Sequence, residues 1–248
     1  FAPERAGVGR YSGEMAAGWV ARGHEVVVVC APPYCPSWQV QAGYSGRTYR
    51  TEHPMPGLTV HRCPIWIPGR LGGLARLLHL ASFALASFPR VLSLVGWQPR
   101  IVFVVAPDLM CAPAAWLAAR LSGAKAWLHI QDFELDAAFE LGLLRQPVLR
   151  HLATWAERVL MRRFDTVSTI SGRMMELLAA KGVAARKAVF LPNWVDVSSI
   201  RHTDEAMALR SSLCIAESQV VCLYSGTLNR KSGVEVLVEV ARRLHSDP

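Results

Sequence analysis

Ala6-Gly7-Val8-Gly9-Arg10-Tyr11-Ser12 leads into the first helix-like run of this 248-residue chain. Far downstream, Tyr224-Ser225-Gly226-Thr227-Leu228-Asn229-Arg230-Lys231-Ser232-Gly233 joins the last strand-like run to the last helix-like run. Each reads as a glycine-bearing turn between a strand and a helix. Such a turn lets backbone amides and the positive end of a helix approach an anion. Two of them, one near each end, predict two α/β lobes, each with its own phosphate-facing turn.

The residues between them alternate strand and helix, which predicts a mostly parallel sheet. Helix is expected over 11–22, stopped by Gly23, and a valine-rich buried strand over 25–30. Residues 32–57, with five prolines, read as a long loop. Further strands are expected at 58–63, 100–105, 124–130, 166–170, 187–191 and 220–224. Helices are expected at 109–121, 147–163, 172–181 and 234–244. Pro147 suits a first helical turn and Ser171 an N-cap. The fold class is therefore α/β, a Rossmann-like parallel-sheet domain followed by the start of a second Rossmann-like lobe. The chain opens at Phe1, just before a turn that normally follows a strand, so a first strand is expected to be missing. It stops soon after the second lobe begins, so that lobe is expected to be truncated. The expected domains are residues 1–192, a hinge and linker over 193–218, and 219–248.

Hydrophobic content of 52% is ample for a core, and the net charge of +8 favours an anionic partner: nucleotide phosphates, nucleic acid or an acidic membrane surface. The basic residues are not interleaved with aromatics, which counts against nucleic acid. The six cysteines form no CxxC pair and none lies at zinc spacing with histidine. They read as buried free thiols in a reducing compartment.

Residues 71–97 are the most lipophilic. Leu74, Leu77, Leu78, Ala81, Leu85, Phe88, Leu92 and Val95 fall on one helical stripe. Arg76 and Arg90 leave 13 residues between them, short of the roughly 20 a bilayer span needs. Two readings stay open: a core helix, or a helix lying in a membrane interface. In the helix over 147–163, Val148, Leu152, Trp155 and Val159 line one side, beside a basic stripe of Arg150, His151, Arg158 and Arg162. That stripe could hold lipid phosphates or be an ordinary solvated edge.

The glycine pair Gly7 and Gly9 lacks the third glycine of a dinucleotide fingerprint, since Ser12 stands there. The strand over 25–30 ends in Cys30-Ala31-Pro32-Pro33 with no carboxylate for a ribose. Both points weigh against a nicotinamide or flavin enzyme. His129-Ile130-Gln131-Asp132 falls at the carboxyl end of a strand, where ligands bind in open α/β sheets. His129 could donate to a sugar hydroxyl or a leaving phosphate, with Asp132 and Glu134 orienting it or binding hydroxyls. It could equally be a satisfied core histidine. Leu191-Pro192-Asn193-Trp194-Val195-Asp196 suits a domain hinge or a plain loop. Gly226 with Arg230 and Lys231 reads as a second phosphate site, although no P-loop spacing occurs.

Taken in order, these stretches resemble the retaining, metal-independent glycosyltransferases of family 4, with the two-domain GT-B fold. Within that family they look most like the bacterial exopolysaccharide branch of colanic acid biosynthesis glycosyltransferases. Phe1-Ala2-Pro3-Glu4 with Gly7-Val8-Gly9-Arg10-Tyr11, Leu191-Pro192-Asn193-Trp194-Val195-Asp196, and Tyr224-Ser225-Gly226 with Arg230-Lys231 carry the resemblance. It implies that Gly7 and Gly9 approach the donor phosphate and the acceptor, and that His129 lies near the transferred sugar. It also implies that Arg230 and Lys231 bind the donor diphosphate beside Gly226.

The implied donor is a UDP- or GDP-linked nucleotide sugar, a substrate rather than a cofactor, and neither a cofactor nor a metal is implied. The implied acceptor is a lipid-linked saccharide, reached by peripheral contact with the inner face of the cell membrane from the cytoplasmic side. Nucleic acid is not an implied partner. The family's acidic E-x7-E motif is not in this chain, so the chain alone is expected to be inactive. The rivals are a nucleotide-sugar epimerase or oxidoreductase, and a non-catalytic membrane-associated partner of a polysaccharide assembly complex. The first would need a Tyr-x-x-x-Lys pair, which does not occur.

Overall fold

The computed structural model describes the chain apart from residues 5–6, 70–71, 107–108, 134–146, 200–203, 217–218, 227, 229–231 and 246–248. It divides into two compact units, Phe1–Trp194 and Val195–Pro248.

The first unit begins with helix α1 (Gly7–Ala21), stopped as expected before Gly23, whose φ of +83° suits glycine. Strand β1 (Val26–Cys30) follows, four valines and a cysteine. β-Branched runs of this kind fit a parallel strand covered on both faces. Strand β3 (Leu58–Arg62) pairs parallel with β1, with Val28 opposite Val60. Residues 32–57 are not wholly loop. Strand β2 (Arg50–Met55) pairs antiparallel with β3 at the sheet edge, its register slipping between Glu52 and Met55. Pro54 lies inside it, tolerable because an edge strand can do without one amide donor. Gly57, at φ +83°, lies in the turn that returns the chain to β3.

Helix α2 (Gly73–Ser93) leads to the second sheet. Its strands β4 (Ile101–Ala106), β5 (Lys125–Ile130), β6 (Thr166–Thr169) and β7 (Ala188–Phe190) lie side by side in that order and all parallel. Helices α3 (Ala112–Ser122), α4 (Pro147–Arg163) and α5 (Gly172–Ala180) are the crossovers. The α3 face toward the sheet is alanine (Ala112, Ala115, Ala118 and Ala119), which allows close approach to β4 and β5. Ser171 caps α5 as expected, its side chain accepting from the Met174 amide at 3.2 Å. Leu128, Met161, Phe164, Val167 and Leu178 are completely buried in the core of this sheet. Each contributes on the order of 1.5–3 kcal/mol.

Among the described residues, the outer edges of β1 and β4 carry no strand partner. Between them, beneath α2 and α3, runs a groove of about 160 Å³ lined by Val27 and Val29 of β1 and by 101–104 of β4.

The described part of the second unit contains helices α6 (Asp204–Ser212) and α7 (Glu235–His245). The strand expected over 220–224 does not form, and Val220 and Leu223 are exposed. A strand exists through its pairing, and no other strand occurs among the described residues of this unit.

Candidate functional site

Residues 1–4 form a strap beneath α1. Glu4 Oε1 accepts from the amides of Tyr34 and Cys35 at 2.9 and 2.8 Å. Arg62, buried at the end of β3, donates to the Ala2 carbonyl at 2.5 Å and pairs with Glu52 at 3.2 Å. Its guanidinium also lies over the rings of Phe1 and Tyr44. The strap is thus tied to the carboxyl ends of β1 and β3, and it fixes where α1 starts.

The two glycines of the first motif sit differently on this strap. Gly7 has φ +56°, is exposed, and a Cβ added there would meet nothing within 4 Å. It faces open space at the amino end of α1, where amides and helix dipole favour an anion. Gly9 is buried, and a Cβ there would stand 2.6 Å from Glu4 Oε2 and 2.9 Å from Glu4 Cβ. Its lack of a side chain is what lets the helix rest on Glu4.

One turn on, Glu14 links two groups that sequence reasoning did not join. Arg10 Nε donates to Glu14 Oε1, and Trp194 Nε1 donates to Glu14 Oε2, both at 2.7 Å. Tyr11 meets Trp194 edge to face at 5.3 Å. The Glu14 carboxylate holds the Arg10 guanidinium above its ordinary range, through their hydrogen bond first and their charges second. The Arg10–Glu14 spacing is legible in the sequence as a helical i,i+4 pair. The Trp194 contact, 180 residues away, carries no sequence signal.

His129 lies near the end of β5 and is only 1% exposed. Its Nδ1 is 2.8 Å from Ser168 Oγ, which also accepts from Trp127 Nε1 at 2.8 Å. The Phe103 ring stacks on the imidazole at 5.7 Å. Burial pushes the imidazole down to about 4. With Trp127 filling one acceptor position, the Ser168 hydroxyl suits donation to Nδ1, leaving the imidazole proton on Nε2. Such a histidine is neutral at physiological pH. It can donate a hydrogen bond but does not act as a cationic acid.

Asp132 follows β5 at the carboxyl edge and is half-buried; beside it Phe133 packs under the Lys181 ammonium at 5.1 Å. Lys181 in turn pairs with Glu157 at 2.6 Å, both buried. That pair ties α5 to α4. Gly226 lies in the second unit, where an added Cβ would come 3.0 Å from the Tyr224 hydroxyl. Arg230, Lys231, Thr227 and Glu134 lie outside the described residues.

The structure therefore gathers Gly7, Gly9 and Arg10 at one helix start, and places His129 and Asp132 at the carboxyl end of the neighbouring parallel sheet. This is the edge where open α/β sheets bind ligands.

Comparison with known proteins agrees with this architecture. The profile of the glycosyl transferase 4-like domain matches residues 6–194. The whole chain is also 43% identical, over 253 aligned residues, to an Escherichia coli (strain K12) protein named as a colanic acid biosynthesis glycosyl transferase, WcaI. The chain spans 62% of that relative's length. With the profile running from the helix start at Gly7 to the Trp194 contact on Glu14, the chain belongs to the glycosyl transferase 4-like family.

Proposed function

We propose that the protein transfers a sugar from a UDP- or GDP-linked donor to a lipid-linked saccharide, with retention at the anomeric carbon, in the assembly of a cell-surface polysaccharide. The first unit takes the acceptor and the second the donor, in the GT-B manner, on the cytoplasmic face of the membrane. In the reaction the bond from the anomeric carbon to the diphosphate oxygen breaks. A bond to the acceptor hydroxyl oxygen forms on the same face, and the hydroxyl proton passes to the departing diphosphate. Arg230 and Lys231 stabilise that diphosphate as its charge develops. The Gly7 turn offers amides to phosphate or acceptor, Asp132 binds hydroxyls, and neutral His129 serves as a donor near the transferred sugar. The nucleotide sugar is itself the substrate, and the reading invokes no cofactor or metal.

The observation that carries this reading is the open Gly7 turn at the start of α1, in a lobe that matches the family profile over 6–194. The test is a donor screen. The full-length protein is incubated with labelled UDP- and GDP-sugars and a membrane extract, and label is followed into lipid-extractable product. Transfer from one donor is expected, and Lys231→Ala should cut turnover at least a hundredfold. Transfer with inversion, or a Lys231→Ala variant with parental turnover, would overturn the assignment.

A further inference from the structure

We infer that the outward face of the helical layer α2–α3–α4 is a docking surface for an anionic lipid bilayer, which the protein meets with these helices lying in the membrane plane. The inference rests on the membrane contact just proposed and names the surface that makes it.

The first observation is that α2 is inverted. A helix between a core and water normally turns leucine inward and polar groups outward. On α2 the stripe of Leu74, Leu78 and Leu85 faces out, with Leu74 and Leu85 72% and 75% exposed. The opposite side carries buried His79 and Ser87. His79 Nδ1 donates to the Trp66 carbonyl at 2.6 Å and its Nε2 meets the Tyr34 hydroxyl at 3.3 Å. These inward contacts seat the helix against the lobe.

The second observation is that α4 repeats the pattern. Val148, Leu152 and Trp155, spaced as one helical stripe, are all exposed, Trp155 at 62%. The α4 acid, Glu157, is buried on the other side. Helices α2, α3 and α4 pack in a row. Right-handed crossovers from β4 to β5 and from β5 to β6 carry α3 and α4 to the same face of their sheet, and α2 packs beside α3. Two apolar ridges therefore look out on one side, with the short alanine helix α3 between them.

Charge selects the occupant. Helix α4 contains four arginines, and the sole acid of the three helices is the buried Glu157. Arg158, Arg162 and Arg163 are exposed beside the α4 stripe. A second copy docking on this face would bring arginine against arginine with no exposed acid from these helices to pair. Anionic headgroups complement the arginines while the acyl boundary takes the leucines.

The experiment is flotation of the full-length protein with vesicles of phosphatidylcholine, with or without phosphatidylglycerol. In the same preparations, transfer to a short water-soluble acceptor is measured. Binding is expected to phosphatidylglycerol-containing vesicles and to weaken with salt. Leu78→Glu with Leu85→Glu should lower partition at least tenfold. Both sites are exposed, so the denaturation midpoint and soluble-acceptor transfer should stay unchanged. On those vesicles, the emission difference between the parent and Trp155→Phe should show a blue-shifted Trp155.

Equal vesicle binding by the parent and the double leucine variant would overturn the inference. So would binding indifferent to phosphatidylglycerol. So would a parent dimer that the leucine changes convert to monomer without any vesicle binding, since a second copy would then cover the face. Vesicle binding without transfer would leave the surface standing and remove the catalytic reading instead.

Discussion

Gly9→Ala tests whether the second glycine of the motif serves packing. The new methyl carbon would lie 2.6 Å from Glu4 Oε2 and 2.9 Å from Glu4 Cβ. Neither distance is tolerable, so Glu4 must move. Glu4 is held by two amide donors, from Tyr34 and Cys35. Hydrogen bonds to a charged group contribute about 1.5–3 kcal/mol each, and overpacking costs about 1–3 kcal/mol. Against this, alanine gains about 1 kcal/mol over glycine in a helix. If Glu4 keeps one of its two donors, these contributions leave a net loss of about 1.5–5 kcal/mol, read as a lowered midpoint in chemical denaturation. In a Glu4→Ala background the strap is free to relax, and the loss should shrink by about 1 kcal/mol, the coupling of a double-mutant cycle. Gly7→Ala gives the contrast. It meets no atom, so its cost of about 1–2 kcal/mol is backbone strain at φ +56° and should be additive with Glu4→Ala. A neutral or stabilising Gly9→Ala with Glu4 present would refute the strap argument.

Two further outcomes follow from buried charge. His129 titrates near 4 when folded against an ordinary 6.5, so as pH falls through that interval the unfolded chain binds a proton that the folded chain refuses. Stability should therefore fall by about 3 kcal/mol between those pH values, a fall that denaturation series should find missing in His129→Gln. Lys181→Met removes the ammonium 2.6 Å from the buried Glu157 carboxylate and should cost about 3–5 kcal/mol. Pairing it with Glu157→Leu should recover most of that loss in the same denaturation assay.

The parallel sheet is readable because its strands are short apolar runs, four valines in β1 and Ile101 to Ala106 in β4, although β1 is half-buried rather than buried and Ile101 is exposed. Local caps were equally readable, since Ser171 and Gly23 act on their own neighbours. β2 escaped because Pro54 argues against a strand until the strand is known to lie at an edge, which is a property of the sheet and not of the segment. The strap escaped for the same kind of reason. Glu4 meets amides 30 and 31 residues on, and Arg62 reaches back 60 residues to Ala2, with no period to reveal either.

The limit is sharpest where the pattern itself is strong. Gly7 and Gly9 are the same letter two positions apart, yet one faces open space and the other a carboxylate of its own chain. The leucine stripe of α2 is likewise unmistakable in sequence, but periodicity fixes only that the leucines share a side. Which side is covered depends on the groups that compete for the lobe. Here buried His79 finds the Trp66 carbonyl and the Tyr34 hydroxyl inside, and helical geometry then forces Leu74, Leu78 and Leu85 outward. The exposed leucines are thus a consequence of where the polar partners lie. A variant that removes the inward anchor, His79→Leu, should loosen α2 from the lobe without making the outward stripe any less apolar. If the lobe instead kept α2 in place with an unchanged denaturation midpoint, the inward hydrogen bonds would not be what orients the helix.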